Sequence, residues 1–140
     1  MSGGEALAEA ALGYLGTPFR LHGRGRMEGV DCVGLLGCAL ADAGRPVALP
    51  QGYGLRNIHA DRHLAYLPLA RFAEVGPECR IHPGDVLVVV PGPAQHHLLI
   101  AIDTESFVHA HAGLRRVAMC HAPLPWPARQ HWRLAHASKG

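Results

Sequence analysis

The chain has 140 residues and a mass of 15.0 kDa, and it is 49% hydrophobic and 17% charged, a composition that excludes a disordered protein. The formal net charge of +2 is too small to indicate nucleic-acid binding. A chain of this length predicts one globular domain over residues 1–140 with one hydrophobic core.

The start of the chain and its cysteines suggest a compartment. The N-terminal residues lack the basic start and apolar stretch of a signal peptide, and no apolar run approaches the roughly 20 residues that span a bilayer. No two cysteines have the spacing of a zinc knuckle or a redox motif. We therefore expect cytoplasmic synthesis, no membrane span, no metal, no cofactor and four free thiols: Cys32, Cys38, Cys79 and Cys120.

The first third of the chain predicts two helices. Residues 5–15 are rich in helix formers, and Gly16-Thr17-Pro18 is expected to end that helix. Residues 19–30 are glycine-rich and basic and predict a loop. Asp31 is the natural N-cap of a second helix over 32–43, which is apolar nearly all round and should therefore be buried.

The rest of the chain predicts mainly strands. An irregular connection over 45–60 and a short helix over 61–73, interrupted by Pro68, lead to a turn at Pro83-Gly84-Asp85. Helices followed by strands predict an α+β fold, in which an antiparallel sheet packs on the second helix. The predicted strands are 86–90, 97–102, 106–110, 114–119 and 131–137.

Cys32 is the first residue of the second predicted helix. A thiol at this position lies at the positive end of the helix dipole, which favours the thiolate form. A histidine brought to it by a strand would make it a nucleophile with a general base. The alternative is a small buried apolar residue, and position alone leaves these two interpretations about equal.

Two histidines occupy successive predicted strands. The stretch between His97 and His109 is long enough for a hairpin that places both imidazoles on neighbouring strands. One ring would then face the thiol while the other fixes its tautomer. Two alternatives stay open: solvent-facing residues at strand ends, or metal ligands together with His96 and His111. No carboxylate or cysteine completes a recognisable zinc signature.

Basic residues cluster in the predicted loop before Cys32. Such a cluster is either a solvated surface or a site for the carboxylates of an anionic substrate. Arg115-Arg116 and residues 129–133 are also basic, but without a net basic excess they do not indicate nucleic-acid binding. The basic side chains of the loop are Arg20, His22, Arg24 and Arg26.

Five short motifs together resemble the NlpC-type cell-wall peptidases, which are papain-like cysteine hydrolases. The compact single-domain form resembles the branch carried by phage tails and gene transfer agents. The motifs, in order, are Gly16-Thr17-Pro18-Phe19, Asp31-Cys32-Val33-Gly34-Leu35, Pro83-Gly84-Asp85-Val86, His97-Leu98-Leu99-Ile100 and Phe107-Val108-His109-Ala110.

The resemblance implies a papain-like fold and a set of roles. Cys32 would be the nucleophile, His97 the general base and acid, and His109 the orienting residue. The implied substrate is a peptidoglycan stem peptide, cleaved between D-glutamate and the diamino acid. Phage-tail-like particle proteins would be partners, and such a particle would deliver the protein to the cell wall.

Asp31, Phe19 and Arg20 are the expected substrate-binding residues. The family usually has tyrosine at the position of Phe19, where a hydroxyl supports the oxyanion, and losing one such donor commonly costs about 100- to 1,000-fold in turnover. Val33 replaces a usual serine, and Leu99 stands where glycine is common. These departures leave two alternatives: a catalytically weak or inactive tail-assembly component, or an amidase or acyltransferase on the same fold.

Overall fold

The computed structural model describes residues 2–47, 66–76, 78–91 and 97–135. Three helices and eight strands occur in these ranges. In chain order they are α1 (Gly3–Leu12), β1 (Arg24–Gly25), β2 (Gly29–Val30), α2 (Cys32–Asp42), α3 (Tyr66–Leu69), β3 (Phe72–Val75), β4 (Val86–Val89), β5 (His97–Ala101), β6 (Ser106–His111), β7 (Arg116–His121) and β8 (Ala128–Leu134).

Helix α1 begins with a capping box. The Glu5 backbone N–H donates to Ser2 Oγ at 3.0 Å, and the Ser2 N–H donates to Glu5 Oε1 at 3.0 Å. The helix ends at Leu12, three residues before the predicted end. The chain turns there and buries Tyr14, whose hydroxyl donates to Asp42 Oδ2 at 2.8 Å. This tertiary contact competes with continuation of the helix.

Helix α2 forms as predicted. Asp31 is its N-cap, and the Asp31 carboxylate accepts a hydrogen bond from the Gly34 N–H at 2.7 Å. The helix ends at Asp42, and Gly44 follows with φ of +85°, a conformation that side chains rarely adopt. The apolar character of α2 buries Val33, Gly34, Leu35, Leu36, Gly37, Ala39 and Leu40.

The main sheet has six antiparallel strands in the order β3-β8-β4-β5-β6-β7. Alternation along the central strands gives the sheet two buried faces. The first face joins α1 and α2 in the larger core and includes Val86, Val88, Leu98, Ile100 and Val108. The second face carries a smaller cluster of Leu87, Val89, Leu99, Ala101 and Phe107. The predicted α+β fold, with a sheet packed on α2, is confirmed.

Several element boundaries differ from the predictions. Of the helix predicted over 61–73, residues 61–65 lie outside the described residues. The rest forms a single turn, α3, which ends at Leu69 and is followed by β3. The last predicted strand begins three residues earlier, at Ala128. Strand β8 lies between β3 and β4 and pairs with both, so its limits are set by two neighbours that the local sequence does not reveal.

A buried carboxylate fixes the start of β4 against β8. Asp85 is 1% exposed, and His131 Nε2 lies 2.6 Å from its Oδ2. Arg133 donates to both carboxylate oxygens, at 3.1 and 3.0 Å. The turn at Pro83-Gly84-Asp85 was predicted, but these two cross-strand partners were not. Their contacts satisfy a charge that would otherwise be costly to bury.

In the described ranges, no helix combines the length and the apolar character that crossing a membrane requires. All four cysteines are free thiols, as expected.

Candidate active site

The segment that precedes α2 is held by backbone hydrogen bonds. The Val30 N–H donates to the Pro18 carbonyl at 2.9 Å, and the Arg20 N–H donates to the Val30 carbonyl at 3.1 Å. The Phe19 N–H donates to the Arg115 carbonyl at 2.9 Å. Phe19 is half-buried against the larger core, whereas the Arg20 side chain is exposed. Both residues therefore lie beside the strand that leads into Cys32.

Asp31 organises this loop. The residue is 2% exposed, and its Oδ2 accepts the His22 backbone N–H at 2.8 Å. Its Oδ1 accepts from Gly34 and also from Arg24 Nη1, at 3.2 Å. Gly34 has no room for a side chain, because a Cβ there would collide with the Gly23 carbonyl oxygen. The carboxylate thus joins the loop to the first turn of α2, and its contact with substrate stays a prediction.

Cys32 begins α2 and is half-buried. Burial, with a smaller contribution from the neighbouring Asp31 charge, raises the pKa of its thiol to about 12. Hydrogen bonds from the backbone N–H groups of Leu98, Val33 and Cys32 itself favour the thiolate but do not offset these effects. The expectation that the helix dipole would favour a thiolate is therefore wrong, because desolvation outweighs the dipole.

The two predicted histidines are in direct contact. His97 Nε2 lies 2.8 Å from His109 Nδ1, and the strands that carry them, β5 and β6, are antiparallel neighbours, as the hairpin prediction requires. Burial, with a contribution from His109 and His111, lowers the pKa of His97 to about 3. Burial and His111 lower the pKa of His109 to about 4. Both rings are therefore neutral near pH 7, and His97 Nδ1 is the ring nitrogen that this bond leaves for another partner.

The Cys32 thiol lies next to the first residues of β5, and His97 is the first residue of that strand. The Leu98 N–H that hydrogen-bonds the Cys32 sulfur belongs to the peptide immediately after His97. Leu98 packs in the larger core with α2, while the His97 ring contacts Trp126, which packs against the second-face cluster. Within the described part of the chain, no hydrogen bond joins the Cys32 sulfur to the His97 ring. Their catalytic pairing stays a prediction.

Two aromatic residues complete the surroundings of the histidine pair. His111 and Trp126 both lie within ring contact of His97 and His109. The alternation His109-Ala110-His111 along β6 was a sequence signal for a second imidazole on the same face. No local signal indicated Trp126, which arrives from the connection between β7 and β8.

The metal alternative has no arranged ligand set in the described ranges. No group of three or more histidine, cysteine, aspartate or glutamate side chains is placed there to hold a metal ion. His96, one of the residues of that alternative, lies outside the described residues.

We predict slow alkylation of Cys32 in the unliganded protein. At pH 7 a thiol with a pKa of about 12 is thiolate in about one part in 10⁵, against about 3 in 10² for an ordinary cysteine. Iodoacetamide should therefore modify Cys32 more slowly than N-acetylcysteine, as measured by peptide mass spectrometry from pH 6 to 10. Asp31→Asn keeps an N-cap but removes the charge that disfavours the thiolate, so alkylation should accelerate by about threefold or more. Rapid alkylation with a midpoint below pH 7 would contradict the raised pKa.

Comparison with known protein-family models gives no match, and comparison with curated protein sequences gives none either. Solved structures do match. NlpC2 from Trichomonas vaginalis has a TM-score of 0.74 at 18% identity, over 98% of this chain and 48% of that one. The NlpC/p60 domain of the peptidoglycan hydrolase SagA has a TM-score of 0.66 at 20% identity, over 94% of this chain and 98% of that one.

The peptidoglycan hydrolase RipB from Mycobacterium tuberculosis has a TM-score of 0.61 at 18% identity, over 93% of this chain and 63% of that one. The present chain spans about half the length of NlpC2. The chain therefore has the papain-like α+β fold of NlpC/P60 domains.

Proposed function

We propose that this protein is a cysteine peptidase that hydrolyses peptidoglycan stem peptides. The observation that supports the proposal is at the start of β5, where the Leu98 N–H hydrogen-bonds the Cys32 sulfur at the N-terminus of α2. The preceding residue, His97, is bonded through Nε2 to His109 at 2.8 Å. The likeness to SagA and RipB, both described as peptidoglycan hydrolases, supports this class of substrate.

The proposed reaction starts from a neutral thiol and a neutral imidazole. Through Nδ1, His97 takes the thiol proton as the Cys32 sulfur attacks the amide carbonyl, and the Cys32 N–H donates to the developing oxyanion. The bond to His109 fixes the His97 ring and stabilises the imidazolium. His97 then protonates the leaving amine, which departs. Water, deprotonated by His97, hydrolyses the thioester and regenerates the thiol.

Within this proposal, the cleaved bond is the amide between D-glutamate and the diamino acid. Exposed Arg20, beside the entry to α2, provides a guanidinium for a substrate carboxylate, and half-buried Phe19 provides an apolar contact. Asp31 acts on substrate through the loop that it holds.

The test is incubation of the protein with the tripeptide L-alanyl-γ-D-glutamyl-diaminopimelate, read by mass spectrometry. We expect release of free diaminopimelate, which identifies the bond between D-glutamate and the diamino acid. Release of L-alanine instead would move the cleavage to another bond of the stem. An intact tripeptide after prolonged incubation, alongside turnover of an unrelated amide, would replace the proposal with an amidase or acyltransferase.

The second candidate is a catalytically weak tail-assembly component. The specific observation in its favour is that a thiolate–imidazolium pair of Cys32 and His97 is disfavoured. Burial raises the pKa of Cys32 to about 12 and lowers that of His97 to about 3. Phe19 also lacks the hydroxyl that the resemblance leads one to expect. A stoichiometric mixture with the tripeptide discriminates between the candidates, because only the enzyme releases one equivalent of diaminopimelate per protein molecule within a short incubation.

Association with a phage-tail-like particle, and delivery to the cell wall in that particle, also belong to the proposal. They rest on the five-motif resemblance. Co-purification of the protein with such particles is the measurement that tests them.

A further inference from the structure

The histidine pair is enclosed by two residues that the proposed reaction does not use. His111 lies 5.1 Å from His109 and 6.2 Å from His97, measured between ring centroids. The Trp126 ring lies 5.8 Å from His97, 6.0 Å from His109 and 6.3 Å from His111. One indole therefore contacts all three imidazoles.

His111 is itself held in place. Its Nδ1 accepts a hydrogen bond from the Leu114 backbone N–H at 3.0 Å, so the neutral ring carries its proton on Nε2. Its ring is stacked on Trp126 at an interplanar angle of 29°. A backbone donor on one edge and an indole on one face leave this imidazole little freedom to rotate.

We propose that His111 and Trp126 are positioning residues, which fix the ring planes of the His97–His109 pair and close the second face of the sheet over it. The proposal rests on the proposed function, because it assigns the pair a reaction to serve. Trp126 meets His97 at 76° and His109 at 56°, so rotation of either ring out of its hydrogen bond would bring it against the indole.

The contacts with Trp126 and His111 also disfavour protonation of His97 and His109. Apolar contact with Trp126 removes water from rings whose pKa values are lowered chiefly by burial. An electrostatic contribution from His111 also lowers the pKa values of His97 and His109. Among the described residues, Arg116, the partner of His111 on β7, and Arg115 in the intervening turn are the basic residues adjacent to it along this hairpin.

The test follows the imidazole signals of the full chain by NMR between pH 3 and 8. In the wild type, His97 and His109 should stay neutral down to about pH 4. In Trp126→Leu and in His111→Asn, we expect His97 and His109 to protonate at a pH about one unit higher, which is a tenfold change in proton affinity. The asparagine of His111→Asn has an amide oxygen that can still accept the Leu114 N–H. Trp126→Phe keeps an aromatic ring, so the pKa values of His97 and His109 should rise by less than in Trp126→Leu.

His121→Gln is the matched control. His121 lies on β7 opposite Ser106, at the end of the β6–β7 hairpin away from His111. Unchanged titration of His97 and His109 in His111→Asn would overturn the proposal, even if Trp126→Leu fails to fold. A shift of similar size in His121→Gln would also overturn it.

Kinetics on the stem peptide separate this proposal from the proposed function. Misplaced rings should lower kcat about tenfold or more with little change in KM, since the enclosure orients the base and does not bind substrate. A wild type that cleaves nothing refutes the function, whereas the NMR titration still tests the enclosure. An equal loss through KM alone would contradict a positioning role.

Discussion

Cys32→Ala is expected to lose at least about 10⁴-fold in stem-peptide hydrolysis, because the sulfur forms the covalent bond on which both halves of the proposed reaction depend. The substitution removes one half-buried sulfur atom and should change the free energy of unfolding by only about 1 kcal/mol. Initial rates by mass spectrometry and a urea unfolding curve measure the two effects on the same preparation.

Cys38→Ala is the matched control for this prediction. Cys38 is also a half-buried free thiol on α2, and its Sγ donates to the Arg24 carbonyl at 3.1 Å. Its removal should reduce stability slightly and leave hydrolysis within about threefold of the wild type, as for other substitutions away from reacting groups. Residual hydrolysis by Cys32→Ala within tenfold of the wild type would remove Cys32 from the reaction.

The elements that place the candidate nucleophile were predictable because their signals are local. Asp31 before an apolar run indicated both the cap and the burial of α2, and the structure shows both. The alternating strands around His97 and His109 predicted a hairpin, which β5 and β6 form. The 2.8 Å contact of the two rings follows from that hairpin and from their position on one face.

The protonation state of the site was not predictable from local pattern. Position at a helix N-terminus indicated an acidic thiol at Cys32, but its pKa is raised by burial among residues far away in sequence. The position of Trp126 was equally unpredictable, because the connection from β7 to β8 brings it to the imidazoles. Such effects depend on tertiary packing, which no periodicity in the sequence records.

Leu99 illustrates how a departure from a family pattern gains meaning from structure. It follows His97 by two residues and shares its face of the sheet, where the resemblance leads one to expect glycine. Leu99 is fully buried and belongs to the second-face cluster with Phe107 and Leu87. The larger side chain therefore fills apolar volume on the face of the sheet that carries His97.

His97→Gln is expected to lower kcat about 10²- to 10⁴-fold, the usual contribution of a general acid–base residue. Glutamine keeps a polar side chain at the start of β5 but cannot take the thiol proton. Because the Cys32 pKa is already raised, the variant has no route to a thiolate near neutral pH. Rates that recover above pH 10, where hydroxide begins to ionise the thiol, would show that deprotonation is the missing step. A loss of less than tenfold would contradict the assignment.

Two variants of His109 test the orienting role separately from the proton transfer. His109→Asn retains an oxygen that can accept the His97 Nε2–H, and it should lose about tenfold or less in kcat. His109→Leu removes the 2.8 Å hydrogen bond and leaves a buried ring nitrogen without a partner, so we expect about 10²-fold or more. A general base at position 109 would instead make both variants equally inactive. The ranking Asn above Leu, measured as kcat on one substrate, therefore distinguishes a residue that holds the base from one that is the base.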